Sequence, residues 1–68
     1  MKKGDEVKIV KGHGIYNGIV GVIKSVDILE EKNIYLIEAE GLKGAYHLLT
    51  KVPLQNCRRV FEEHIEVQ

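Results

Sequence analysis

Four of the seven glycines lie close together, at positions 12, 14, 18 and 21, and a β-branched run follows them. Glycine reaches positive φ without the clash of a Cβ atom, so this spacing is typical of a tight loop that feeds a bent strand. The stretch therefore predicts a loop over Gly12–Gly18 and a second strand over Ile19–Asp27, with its bend at Gly21.

The rest of the first fifty residues shows the alternation of short strands. Val7 and Ile9 alternate with charged residues, which is the period of a half-buried strand. Polar residues follow the second strand, and a glycine-bounded turn follows the third. We predict the first strand over Asp5–Lys11, a connection over Ile28–Asn33, the third strand over Ile34–Glu40, a turn over Gly41–Gly44 and the fourth strand over Ala45–Thr50. Ile28 or Leu29 could extend the second strand beyond Asp27.

The C-terminal third has two interpretations. Apolar residues at positions 54, 57, 60, 61 and 65 match the spacing of a helix over Pro53–Glu66. The alternative is a fifth strand over Cys57–Phe61, one helical turn over Glu62–His64, and a return of Ile65–Val67 to pair with the first strand. We favour the second, because four short strands leave open edges that a fifth strand would cover.

Length and composition restrict the class of protein. A chain of 68 residues, 44% of them hydrophobic, is long enough for one small packed domain, here residues 1–68, and its predicted elements are strands apart from a single helical turn near the C-terminus, an all-β class. The one cysteine, Cys57, excludes an internal disulfide and fits a reducing compartment. No signal-peptide pattern or membrane-length apolar run is visible, so we expect a soluble cytoplasmic protein that does not contact membranes.

Two short patterns resemble a known family. The opening Gly4-Asp5-x-Val7 and the later step at Gly18, Gly21 and Ile23 resemble small SH3-like barrels with a KOW-type motif. The resemblance implies a small five-stranded, strongly bent antiparallel barrel. Similar barrels contact RNA or protein in ribosomal proteins and transcription elongation factors, or dock onto redox enzymes as small subunits. The resemblance thus implies a binding or accessory module.

Residues that could support catalysis or bind a metal are present but are not arranged in a motif. The three histidines and Cys57 lack the close spacings of structural zinc sites, so we expect no metal and no cofactor. Cys57 has no accompanying motif for a base or an oxyanion hole. Gly12 and Gly14 precede a strand instead of a helix, so they do not form a phosphate loop. We therefore expect a protein that is not an enzyme.

The glycine loop provides the predicted binding site. Ile15 and Tyr16 lie at its tip, and apolar side chains exposed on a loop are typical of a protein contact surface. One of these two could instead fold inward and cover the core. The predicted protein-binding residues are His13, Ile15, Tyr16, Asn17, Tyr46 and His47.

Nucleic acid is the alternative ligand. Ten basic and ten acidic residues give a formal net charge of zero, which lacks the excess of positive charge that phosphate binding uses. A local basic patch would form if both arginines joined the lysine-bearing side of the sheet. Its residues would be Lys8, Lys11, Lys24, Arg58 and Arg59. The oligomeric state, monomer or homodimer, stays open, because the Leu48/Leu49 face could pair two copies.

Overall fold

The computed structural model describes residues 1–68 as five strands and two short 3₁₀ turns. In chain order they are β1 (Glu6–Ile9), η1 (Gly14–Tyr16), β2 (Val20–Leu29), β3 (Lys32–Glu38), β4 (Cys57–Phe61), η2 (Glu62–His64) and β5 (Ile65–Val67). The chain is all-β, as predicted. The turn η1 inside the glycine loop is an addition to the one helical turn that the sequence predicts.

The C-terminal third follows the strand interpretation. The bounds of β4, η2 and β5 coincide with the predicted ones, and β5 pairs antiparallel with β1, with Val67 opposite Val7. The alternative helix over Pro53–Glu66 is wrong. Pairing with β3 along its whole length gives β4 a hydrogen-bond ladder that an isolated amphipathic helix would lack.

All five strands belong to one antiparallel sheet with the order β4-β3-β2-β1-β5. The two edge strands, β4 and β5, are joined by η2 but do not pair with each other. The sheet is therefore open, because its backbone hydrogen bonds do not close it into the predicted barrel.

The predicted fourth strand over Ala45–Thr50 is wrong. Residues 41–56 form an irregular segment with one isolated bridge between Tyr46 and Pro53. The His47 imidazole Nδ1 accepts the backbone N–H groups of Leu49 and Thr50, both at 3.3 Å. A side chain that satisfies backbone donors locally competes with strand pairing, so the chain turns here.

The β2–β3 hairpin includes Ile28 and Leu29, the extension of the second strand that the sequence left open. Its last pair joins Leu29 to Lys32, and the two intervening residues, Glu30 and Glu31, have φ of 49° and 66°. Such two-residue turns match the twist of the strands, so the connection is shorter than the predicted polar loop. A bulge in β2 lies between Ile23 and Ser25.

Gly21 serves a close approach between strands. A Cβ atom at this position would lie 2.6 Å from the backbone oxygen of Glu38 and 2.8 Å from a methyl carbon of Ile37. Both neighbours belong to β3, so a side chain here would push β3 away from β2. The tight pairing of the two strands therefore requires glycine at this position.

The hydrophobic core covers one face of the sheet. Strand alternation puts Tyr35 and Ile37 on this face, and Leu42 covers it from the 41–56 segment. The buried cluster consists of Val7, Ile9, Ile23, Tyr35, Ile37, Leu42, Val60 and Ile65. The opposite, outer face carries Asp27, Ile34, Leu36 and Arg59 in register. No helix here is long and apolar enough to span a bilayer.

Candidate functional site

The side chain of Arg58 joins three separate parts of the chain. Its Nε donates to Nδ1 of His13 at 2.8 Å, and its terminal nitrogen donates to the backbone oxygen of Lys43 at 2.9 Å. Its guanidinium lies over the ring of Tyr16, 4.5 Å from the centroid, within the range of a cation–π interaction. We call this group, Arg58 with His13, Tyr16 and Lys43, the Arg58 clamp. It connects the glycine loop and the 41–56 segment to β4.

The clamp continues into a pair of histidines. Arginine is always a donor, so the Nδ1 of His13 that accepts from Arg58 carries no proton. Neutral His13 then carries its proton on Nε2 and donates to Nδ1 of His64, 3.2 Å away. The two rings also meet edge to face with centroids 5.2 Å apart. This chain of hydrogen bonds ties the glycine loop to η2.

This arrangement disfavours a charged His13. Burial lowers the pKa of His13 below its ordinary value, and the positive charge of Arg58 and then His64 lower it further. Protonating Nδ1 would also replace the acceptor of the Arg58 hydrogen bond with a second donor. The geometry and the pKa thus both favour neutral His13 in the clamp.

The glycine loop separates its two apolar residues. Tyr16 is half-buried and packs against the core, whereas Ile15 keeps 89% of its surface exposed. Asn17 closes the loop, because its Oδ1 accepts the N–H of His13 at 3.1 Å. Of the two predicted contact residues, Tyr16 folds inward and Ile15 alone projects outward.

Gly12 is needed where the loop passes His64. Its φ is +81°, and a Cβ atom there would lie 2.9 Å from a ring carbon of His64. Any side chain would therefore meet both an unfavourable backbone conformation and a steric clash. The tight contact between loop and η2 depends on this one glycine.

Tyr46 and His47 have different roles in the 41–56 segment. Tyr46 is 53% exposed and borders a cavity of about 500 Å³, which Lys43, Gly44, Pro53 and others in the segment also line. His47 is occupied by its own turn. The cavity lies next to the Arg58 clamp because Lys43 and Gly44 contact Arg58.

The predicted basic residues lie on β1, β2 and β4 and beside the glycine loop. β4 pairs with β3, so both arginines lie on the edge of the sheet farthest from Lys8 in β1. Lys24 forms an ion pair with Glu38 at 3.7 Å. Arg59 points to the outer face, where it donates to the backbone oxygen of Tyr46 at 3.0 Å. Lys11, beside Gly12, is exposed.

Cys57 is buried, with 6% of its surface exposed. Burial raises the pKa of its thiol, and the nearby carboxylate of Glu38 raises it further. The thiolate that a nucleophile requires is thus disfavoured. No three side chains among the histidines, cysteine and acidic residues are grouped so that they could hold a metal ion.

Sequence reasoning missed two features of this region. Arg58 counted there only as a possible phosphate contact, and His64 only as an isolated histidine. Both side chains hydrogen-bond to His13, which lies 45 positions before Arg58 and 51 positions before His64. No local sequence pattern indicates these contacts. The second missed feature is a groove on the outer face, where half-buried Leu36 lies near exposed Leu48.

Comparisons with protein-family models, with curated proteins and with solved structures found no match to this chain.

Proposed function

We propose that this protein is a non-enzymatic binding module that contacts another protein through the glycine loop and the adjoining part of the 41–56 segment. The contact residues are Ile15 at the loop tip and Tyr46 beside the cavity of about 500 Å³. The Arg58 clamp ties the glycine loop and Lys43 of the 41–56 segment to β4.

The observation that carries the proposal is an exposed isoleucine between two fixed neighbours. Ile15 is 89% exposed, while His13 before it and Tyr16 after it are both held by Arg58. A loop that is already fixed loses little conformational entropy when a partner binds. An apolar side chain presented in this way is suited to act as an anchor in a partner's pocket.

A role other than catalysis fits the surroundings of this surface. The side chains of His13, Asn17 and Arg58 near Ile15 hydrogen-bond within the protein, which favours a role in holding the loop. The SH3-like, KOW-type class remains our proposal for the fold family. Five antiparallel strands and a bulged second strand support that assignment.

The test compares two equally exposed apolar residues on different surfaces. The full chain would be immobilised as wild type, Ile15→Ser and Leu49→Ser, and used to capture proteins from an extract of the source cells. Leu49 is the matched control because it is 87% exposed and lies on the outer-face groove. We expect a protein that wild type and Leu49→Ser retain and Ile15→Ser loses.

Equal capture by all three chains would reject the loop as the contact surface. Far-ultraviolet circular dichroism of each variant verifies that the fold is intact. If capture instead disappears after nuclease treatment and falls linearly in log affinity with log salt, the ligand is nucleic acid and the proposal is wrong.

A further inference from the structure

A second exposed surface lies on the outer face of the sheet, away from the Arg58 clamp. Two adjoining depressions of about 450 Å³ and about 310 Å³ share three lining residues, Asp27, Leu48 and Arg59. We call the two together the outer-face groove. Its walls also include Leu29, Ile34 and Leu36.

The groove combines exposed apolar surface with two opposite charges. Leu48 is 60% exposed, and Leu29, Ile28 and Leu49 beside it are exposed as well. Asp27 and Arg59 both line the groove, yet the one ion pair within 4 Å in the whole chain joins Lys24 to Glu38. Asp27 therefore has no ion-pair partner, and the hydrogen bond of Arg59 goes to the backbone oxygen of Tyr46.

We propose that the outer-face groove is the interface of a symmetric homodimer. A two-fold interface must be self-complementary, because the same patch of each copy meets its equivalent. A patch with an apolar centre, a negative charge on one side and a positive charge on the other meets this condition. A two-fold axis near Leu48 brings Asp27 of each copy to Arg59 of the other.

The register of the strands makes the charge pairing geometrically reasonable. Asp27 in β2 is opposite Ile34 in β3, and Arg59 in β4 is opposite Leu36, which is also in β3. β3 thus separates the two charged positions, which are also offset by two residues along it, so their Cα atoms lie roughly 12 Å apart at the usual strand dimensions. The two side chains form no ion pair within one copy, and the apolar positions between them leave room for contact with a second copy.

The size and net charge of the chain fit self-association. A standard interface removes about 800 Å² from each partner. This is about one sixth of the 4665 Å² surface of the chain. A formal net charge of zero also removes the general repulsion between copies.

Charge reversal tests the proposal directly. Sedimentation equilibrium of the full chain would be measured for wild type, Asp27→Arg and Arg59→Asp between about 10 µM and about 1 mM. We expect wild type to dimerise and each variant alone to bind itself at least about a hundredfold more weakly, because two attractive pairs become repulsive ones.

Mixing the two variants is the decisive measurement. In an equimolar mixture, the arginine introduced at position 27 of one chain meets the aspartate introduced at position 59 of the other, and the native Arg59 of the first meets the native Asp27 of the second. We expect this mixture to form a heterodimer although neither variant forms a homodimer. A mixture that stays monomeric, or wild type that stays monomeric at about 1 mM, overturns the proposal. The groove would then be a binding surface for a different protein.

Two serine variants separate this interface from the proposed binding surface. Leu49→Ser is expected to weaken dimerisation by about tenfold or more, and Ile15→Ser is expected to leave it unchanged. This is the reverse of their expected effects on capture of another protein. Equal weakening by both variants would contradict a dimer built on the groove. Circular dichroism of each chain excludes unfolding as the cause.

Discussion

Arg58 and Arg59 are neighbours in one strand, yet they lie in different surroundings. Arg58 makes two hydrogen bonds and covers an aromatic ring, and it ties the glycine loop and the 41–56 segment to the sheet. Arg59 makes one hydrogen bond and faces an exposed apolar groove. Strand alternation can thus give two identical side chains a structural role and a surface role.

The largest loss of stability is expected from removing Arg58, with removal of Arg59 as the comparison. Arg58→Ala should lower the free energy of unfolding by about 2 to 3 kcal/mol, because it removes two charged hydrogen bonds and a cation–π contact. Arg59→Ala should cost about 1 kcal/mol or less, since it loses one exposed hydrogen bond. Urea denaturation of both variants measures the difference, and equal losses would contradict the comparison.

A pair of glycines sharpens the role of Arg58. Gly44 and Gly41 both have positive φ, +105° and +90° respectively. A Cβ atom added at Gly44 would lie 2.6 Å from the Arg58 guanidinium, whereas a Cβ atom added at Gly41 would meet no other atom within 4 Å. Both changes to alanine should cost about 1 kcal/mol from backbone strain, and Gly44→Ala should cost about 1 kcal/mol more.

A double-mutant comparison identifies the source of that excess. In the Arg58→Ala background the clash is gone, so the two glycine variants should lose similar amounts of stability. If the excess at Gly44 persists without the arginine, the clash lies elsewhere and the clamp does not explain it.

The pH dependence of stability tests the clamp through His13. Its pKa in the folded protein lies below the ordinary value of 6.5, first because of burial and then because of Arg58 and His64. The unfolded chain therefore takes up this proton at higher pH than the folded one. The contribution of neutral His13 is complete above pH 6.5 and is lost as pH falls through the lower folded pKa.

His13→Gln removes the titrating group from the clamp. Between about pH 7.5 and about pH 5, wild type should lose more stability than this variant, as measured by urea unfolding at several pH values. The same dependence in both chains would mean that another group is responsible.

The smallest effect on stability is expected at the two exposed tips. Ile15→Ser and Leu49→Ser should each change the free energy of unfolding by less than about 0.5 kcal/mol, because both side chains are exposed. Thermal unfolding checks this. A large loss at either position would show that the residue supports the fold, and its use as a matched binding variant would then be invalid.

Local patterns predict most of the strands. Alternation identifies β1 through Val7 and Ile9, and the tail interpretation matches β4, η2 and β5. The fourth predicted strand fails at His47, whose imidazole accepts two backbone N–H groups and turns the chain. A local propensity for strand at Ala45–Thr50 is outweighed by a turn that satisfies its own backbone groups.

The candidate site was predicted less well than the fold. Ile15 is exposed as the loop pattern suggests, but His13, Tyr16 and Asn17 hold the loop in place. Their partners lie far away in the chain, so neither composition nor spacing could identify those contacts. The same reason hides the outer-face groove, which joins residues from β2, β3, β4 and the 41–56 segment.

The amino-acid sequence by itself determined the all-β class and the position of the glycine loop. These depend on residues near one another in the chain, where alternation and glycine placement act directly. Only the tertiary structure decided that Arg58 clamps the loop while Arg59 faces the groove. Which side of β4 meets the loop depends on how the whole sheet packs, and that is a property of distant residues.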